Sequence, residues 1–490
     1  MNLSGRSSVR PTRPCVPLVA VAFLYAAAQL VAVTTRMRLG WDETVYVSQV
    51  SPHVPTAFFS APRARGVTLL AAPLVAVTSS VAALRIYMTV LSTIGLVIAY
   101  WPWTRLLRPV TVALAAFLLA VLWMVQFYGN AVMPNIYVAY GAVAATGWFA
   151  HTVRGQSRAA PVWLAASLAF VALIRPGDAM WLVPTLLVAV AFAHRRRLIA
   201  LAAIVIGPLA GAAEWVVEAY VRFGDPLRRL RAASETEGGL GWHPEGVRME
   251  LHALDHNLLC RPCGGATWHV QPLSAWWPLV PVLAAGGLVL AARGRRLGLL
   301  APPAACGAVL GASYLFLVGY AAPRFLIPAY ALLALPMAEL AWGAATLGRG
   351  RWRIATAGAV ALGLAAQTAG QQLVLAHMVT SQYTARGDFV AITGQLQYLG
   401  VRPPCTLSGE QAPPLAFYTG CRSLQIAGND MSTDVAGLRR AATLTRLAVV
   451  EHIGQRPRYT RGWLRYSFTT PSGRRWRVFL PPHPPAAPRT

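Results

Sequence analysis

The sequence predicts an α-helical polytopic membrane protein: about eleven transmembrane helices followed by a small water-facing α/β domain. Three observations predict it. Of 490 residues, 56% are hydrophobic and only 12% charged, against about 25% charged in soluble domains. The apolar residues fall in runs of about 18 or more, the length that crosses a bilayer as a helix. Arginine-bearing connections alternate with arginine-poor ones between those runs, as the positive-inside rule requires.

In chain order the runs lie near 16–35, 84–104, 109–127, 132–150, 160–174, 179–193, 198–220, 275–292, 297–319, 324–344 and 354–377. The first follows Arg6, Arg10 and Arg13 but is long for a signal sequence and has no clear small-residue cleavage site, so it reads as a retained helix. The stretch 66–80 is short and interrupted by Pro73, which predicts a re-entrant or interfacial helix. The arginines at 105 and 108, 154 and 158, 195–197, 293–296 and 349–353 then fall on the same side as the N-terminus, the cytoplasm. The loops 36–83 and 221–274 and everything after 377 fall outside a plasma membrane. Nearly all the acidic residues lie in those outer segments, so chemistry is sought there.

The formal net charge is +26, carried entirely by arginine. Part of it sits in cytoplasmic loops. The rest is concentrated at the end of the chain, where it can meet anionic lipid head groups or an anionic envelope polymer. Nucleic acid does not fit a chain this apolar.

Residues 1–377 thus read as the membrane module and 378–480 as an extracytoplasmic α/β domain. The Pro-rich stretch 481–490 reads as disordered. Within the tail, 386–399 reads as an amphipathic helix, and 405–407, 423–426 and 447–450 as short strands. A helix over 433–444 precedes the third strand, and two further strands flank the turn Pro471-Ser472-Gly473.

Of six cysteines, Cys15 and Cys306 lie in or beside apolar runs and read as inert. Cys405 and Cys421 flank one loop on the oxidising side and predict a disulfide. His252, His256, Cys260 and Cys263 form His-x3-His-x3-Cys-x2-Cys, which admits two readings: a local disulfide beside unrelated histidines, or a zinc site with three ligands on one helical face.

The sharpest local feature is Trp41-Asp42-Glu43-Thr44-Val45-Tyr46, two carboxylates just beyond the first span. Desolvation beside an apolar surface raises a carboxylate pKa, which suits a general base. A paired acid can instead hold a divalent cation, or be an ordinary solvated loop pair. Arg63, Arg65, Arg175 and Arg324 all lie at outer boundaries, against the positive-inside bias. Each alone reads as snorkelling to the head groups; the set of four reads as a lipid-phosphate site.

In these motifs the chain resembles the GT-C superfamily of membrane glycosyltransferases, in the branch of protein O-mannosyltransferases and aminoarabinose transferases. The resemblance is carried by Asp42-Glu43 with Tyr46, by Pro62-Arg63 through Pro73, by Phe223-Gly224-Asp225-Pro226-Leu227 and by Arg324-Phe325-Leu326-Ile327-Pro328. The tail phrase Pro414-Leu415-Ala416-Phe417-Tyr418-Thr419-Gly420 adds to it. It implies a polyprenyl-phosphate-linked sugar as donor, a glycan, lipid or protein as acceptor, and inverting transfer on the outer face. It implies Asp42 as base with Glu43 supporting it, and Arg324 on the lipid phosphate with help from Arg63 or Arg175. The candidate substrate-binding set is therefore Tyr46, Arg63, Arg65, Arg175, Asp178 and Arg324. The family's lysine contacts to phosphate have no counterpart here. Two rival readings are a transporter or lipid-sugar flippase, which would use mid-span acids such as Glu214, Glu218 and Glu339, and a non-catalytic envelope scaffold.

Overall fold

The computed structural model describes residues 15–33, 35–193, 195–254, 258–261 and 271–482. The membrane module is built from α1 (Val16–Ala32), α2 (Trp41–Ser48), α3 (Gly66–Val75), α4 (Val81–Tyr100), α5 (Pro109–Ala120), α6 (Trp123–Gly129), α7 (Pro134–Arg154) and α8 (Ala160–Ile174). It continues through α9 (Pro176–Ala191), α10 (Arg197–Glu218), α11 (Pro226–Thr236), α12 (Gly246–Ala253), α13 (Leu279–Arg293), α14 (Leu297–Leu317), α15 (Ile327–Ala345) and α16 (Arg351–Tyr398). The tail follows as β1 (Cys405–Gly409), α17 (Ala412–Thr419), β2 (Arg422–Ser423), α18 (Val435–Leu444), β3 (Arg446–His452), β4 (Leu464–Thr469) and β5 (Arg475–Leu480).

Among the described residues, six helices are long and apolar enough to cross a membrane, or seven if α5 and α6 form one broken span. α1, α8 and α9 are apolar but shorter. The outward faces carry exposed Phe23, Val188, Leu209, Val282, Ile354 and Leu362. An apolar belt of this extent is stable only against lipid or a partner, and the chain is a multi-pass membrane protein. Where helices meet, small residues allow close approach: a Cβ on Gly207 or Gly211 of α10 would come within 2.4 and 2.0 Å of the Ala165 and Ala169 carbonyls of α8.

Three elements differ from the sequence expectation. The run 109–127 is not one straight helix, because α5 and α6 meet at 79°. The break frees the Trp123 amide, which donates to the Gln371 side chain of α16 at 2.9 Å. The helix that holds the last apolar run does not end near 377. α16 runs unbroken for 48 residues, about 72 Å at 1.5 Å per residue, and absorbs the amphipathic segment 386–399. The composition turns polar at that point, but no proline stops the helix, and polarity alone is not a terminator. Third, the short helix α17, a segment to which the sequence reading assigned no element, carries Pro413 and Pro414 in its first turn, where no amide is needed. The end from 483 onward, expected to lack structure, lies outside the described residues.

The tail sheet has strand order β2-β1-β3-β5-β4, with β2, β1 and β3 parallel and β5 and β4 antiparallel to their neighbours. One face packs on α16 and α17 through Ile392, Leu396 and Leu415; the other is covered by Leu438 of α18. The Cys405–Cys421 disulfide joins the start of β1 to the approach to β2. Phe223-Gly224-Asp225-Pro226 proves to be a corner: Gly224 sits at φ +91 and the Asp225 side chain accepts the Arg228 amide at 2.8 Å to start α11.

Candidate active site

The loop after α1 turns sharply into α2, placing Asp42 and Glu43 in its first turn, where the helix dipole favours acids. Helical geometry then sends the two neighbouring side chains in different directions, and they do not act as a pair. Asp42 remains 31% exposed and faces a cavity of about 600 Å³. Its Oδ1 accepts from Arg63 Nη2 at 2.9 Å and its Oδ2 from Arg324 Nη2 at 3.3 Å. Glu43 is 4% exposed and points into the protein. It accepts from Arg85 Nη2 at 2.9 Å, Arg386 Nη1 at 3.1 Å, the Gly40 amide at 2.9 Å and the Val132 amide at 3.1 Å. Glu43 therefore joins α2 to α4, α16 and the loop before α7. Its oxygens are committed to these donors.

The electrostatics also correct the expected direction at Asp42. Burial acts to raise its pKa, but the charges of Arg63 and Arg324 outweigh burial and hold the carboxyl below its ordinary value. Glu43 is lowered in the same way, burial being outweighed by Arg85 and Arg386.

Arg63, Arg175 and Arg324 all line the cavity. Arg63 stands over the rings of Tyr46 and Trp41, at 5.1 and 5.7 Å from their centroids, and reaches Asp430 of the tail at 3.5 Å. Tyr46 lines the cavity beside it. Arg324 also donates to Tyr128 Oη at 3.4 Å and to the Leu258 carbonyl at 3.2 Å. Arg175 packs over Phe325 at 4.9 Å and Tyr314 at 5.4 Å, and among the described residues its only ion pair is a loose one to Asp178 at 3.8 Å. Asp178 itself is buried, accepts from Tyr314 and orients Arg175 from behind rather than facing the cavity.

Arg65 is not part of this set. It pairs with Glu218 at 2.6 Å and Glu214 at 3.3 Å, in a cluster completed by Arg222 and Arg229. The zinc reading is corrected too, because Cys260 is disulfide-bonded and an oxidised sulfur is no thiolate ligand. His252 lies exposed in the last turn of α12, and His256 and Cys263 lie outside the described residues. No cluster of three metal-ligating side chains occurs among the described residues.

Sequence reasoning missed Arg85, Arg386, Tyr128 and Asp430. Arg85 carried a usable signal: an arginine just inside an apolar run must find a buried partner. Arg386 and Asp430 carried none, since only the docking of the tail brings them near α2. Burial, opposed by Arg63 and reinforced by Asp42, pushes the Asp430 carboxyl up to about 6.

These elements define a multi-pass membrane protein with an arginine-rich cavity between its long loops and its tail domain. Among solved structures, the chain is similar to ArnT from Cupriavidus metallidurans bound to undecaprenyl phosphate, at TM-score 0.65 and 13% identity over 94% of this chain and 97% of that one. It is also similar to the Archaeoglobus fulgidus oligosaccharyltransferase AglB in complex with an inhibitory peptide and a dolichol-phosphate, at TM-score 0.54 and 12% identity over 94% of this chain and 73% of that one. The same archaeal enzyme tethered to an acceptor peptide gives TM-score 0.54 at 13% identity. No protein-family model and no curated protein matches the sequence.

Proposed function

We propose that the protein is a membrane glycosyltransferase that moves a sugar from a polyprenyl-phosphate donor to an acceptor at its extracytoplasmic face. The observation that carries this reading is an ionised carboxylate, Asp42, open to a cavity and held there between Arg63 and Arg324, with Arg175 on the same wall. The two structural neighbours described with lipid phosphates support it: undecaprenyl phosphate on ArnT and dolichol-phosphate on AglB.

The chemistry follows from the charges. A polyprenyl phosphate leaves more readily as its developing negative charge is stabilised, and fixed guanidinium groups do this best because their forks are planar and permanently charged. Arg175, the least committed of the three, and Arg324 are the ligands of that phosphate. Asp42 accepts the acceptor's proton as the acceptor oxygen or nitrogen bonds to the anomeric carbon and the carbon–oxygen bond to phosphate breaks. One displacement inverts the configuration. With a depressed pKa, Asp42 is a weak base that is ionised at neutral pH; held by two arginines, it is already positioned when the acceptor arrives. A divalent cation at Asp42 would have to displace two guanidinium groups, so the positive charge in this mechanism is assigned to arginine. Sidedness rests on the arginine-rich connections facing the cytoplasm in a plasma membrane.

The transport reading loses its residues: Glu214 and Glu218 pair with Arg65, Arg222 and Arg229, and Glu339 with Arg296. The test is sugar release by purified protein from a radiolabelled panel of polyprenyl-phosphate sugars, wild type beside Asp42→Asn. Turnover with at least one donor, abolished by the substitution in a protein that still melts cooperatively, is expected. No turnover with any donor sinks the class, and turnover that survives the substitution sinks Asp42 as the base.

A further inference from the structure

The tail domain has the topology of a doubly wound sheet in miniature. From β1 the chain passes through α17 to β2 on one side, then through α18 to β3 on the other. The two helices cover opposite faces: Leu415 and Ala416 of α17 pack with Leu407 and Val450, and Leu438 of α18 packs with Leu447 and Val449. The strand order therefore reverses between β1 and β3. In open parallel sheets, the crevice outside the carboxyl ends of the strands at such a reversal is where ligands bind.

Two chemistry-bearing side chains stand at those ends. Glu410 follows β1 directly, and His452 is the last residue of β3. His452 Nδ1 and Glu410 Oε2 share a hydrogen bond. Trp476, the cross-strand partner of His452 on β5, stacks on the imidazole with centroids 3.8 Å apart. The turn that aims Glu410 is constrained on both sides. Gly409 sits at φ +97, where a Cβ would fall 2.3 Å from the Val450 carbonyl oxygen, and Gln411 holds a left-handed φ of +79. Glu410 and His452 are each about one third exposed, at 35% and 37%. They line the same cavity as Asp42, and the transfer mechanism uses neither.

We propose that this crevice is the acceptor subsite and that it takes a sugar through two of its hydroxyl groups. With its Nδ1–H donated to Glu410, His452 presents Nε2 as an acceptor on the opposite edge of the ring, and Glu410 Oε1 is a second acceptor. Among the described residues neither atom has a hydrogen-bond partner. Two separated acceptors on one wall call for a ligand with several O–H donors, which a sugar ring supplies and a lone serine or threonine side chain does not. A phosphate would be repelled by Glu410, so the donor's charged end belongs at the arginines and the neutral, polyhydroxylated acceptor at the tail. Naming the sugar an acceptor rests on the transferase reading; the affinity of the crevice for sugar does not.

The experiment is a binding titration on the full-length protein in lipid nanodiscs. The probes are methyl glycosides and short oligosaccharides, their singly deoxygenated analogues, serine/threonine peptides and, separately, undecaprenyl phosphate. At least one glycan is expected to bind, and to bind about tenfold or more weakly after loss of either contacting hydroxyl, in Glu410→Gln, or in His452→Ala. Undecaprenyl phosphate affinity is expected to stay unchanged in both variants. If His452→Ala no longer melts cooperatively, the near-isosteric Glu410→Gln decides alone. Absence of glycan binding, binding indifferent to both substitutions, or peptide binding in place of glycan binding overturns the proposal. Glycan binding that persists in a protein with no turnover on any polyprenyl-phosphate sugar overturns the transferase reading and leaves the subsite standing.

Discussion

Arg63 and Arg65 are two residues apart in one loop and pair with carboxylates in two clusters of the same chemistry, yet the clusters do different things. Around Glu218 both carboxylate oxygens are engaged by arginine. Arg65 and Arg222 donate to Oε1, and Arg229 donates to Oε2 at 2.8 Å. The fully buried Arg229 further donates to the carbonyls of Ala61, Arg63 and Trp215. That cluster ties α10 and α11 to the loop ahead of α3. Around Asp42 the carboxylate stays partly exposed, Arg324 keeps a buried Nε without a partner among the described residues, and Arg175 holds only a distant acid. A charge cluster with unspent hydrogen-bonding capacity facing a cavity can receive a substrate; a saturated one can only hold elements together.

The substitutions that sharpen this contrast run from large effects to small. Asp42→Asn is expected to lower sugar transfer about 10²-fold or more, the usual cost of losing a general base, with melting little changed. Glu43→Ala, at the adjacent position, should instead destabilise the protein by about 3–5 kcal/mol, because it strands the buried Arg85 without its counter-charge; denaturant or thermal unfolding reads this. If Glu43→Ala were well folded and inactive, the division between the neighbours would fail. Reducing the Cys405–Cys421 disulfide, which closes 16 residues, should cost the tail about 3 kcal/mol in the chain-entropy account, seen as earlier proteolysis of the tail under reductant.

Acidity gives a finer test. A base works when ionised, so activity is lost as pH falls through its pKa. Burial alone would raise that pKa at Asp42, but Arg63 and Arg324 hold it below the ordinary value. The acid limb of kcat should therefore lie below the usual aspartate pKa of about 3.9, and Arg324→Ala should move it upward while weakening undecaprenyl phosphate binding about tenfold. A limb that ignores Arg324 would argue against their coupling. Arg65→Ala should have the smallest effect: kcat changed less than about threefold and stability by about 1 kcal/mol, as expected for a partly exposed pair.

Much of the membrane module is readable without coordinates, because lipid tolerates only long apolar helices and those leave long apolar runs. The site was readable in part. Asp42, Arg63, Arg175 and Arg324 are charges placed where charge is costly, and cost is visible in sequence. The roles of Glu43, Arg65 and Asp178 were not readable, because adjacent or nearby positions carry equal charge and only side-chain direction separates a cavity ligand from a buried anchor.

From the residues alone came the apolar helices, the alternation of arginine-rich and arginine-poor connections, the sheet-forming tail and its disulfide, since each depends on local composition and spacing. The bend between α5 and α6, the uninterrupted α16 and the joining of Asp42 to Arg324 and, through Arg63, to Asp430 were decided by the tertiary structure. So was the placing of Glu410 and His452 on the wall of the same cavity. Those contacts join residues hundreds of positions apart. No local pattern records them, because their energy comes from packing and charge compensation that exist only once the distant segments have packed together.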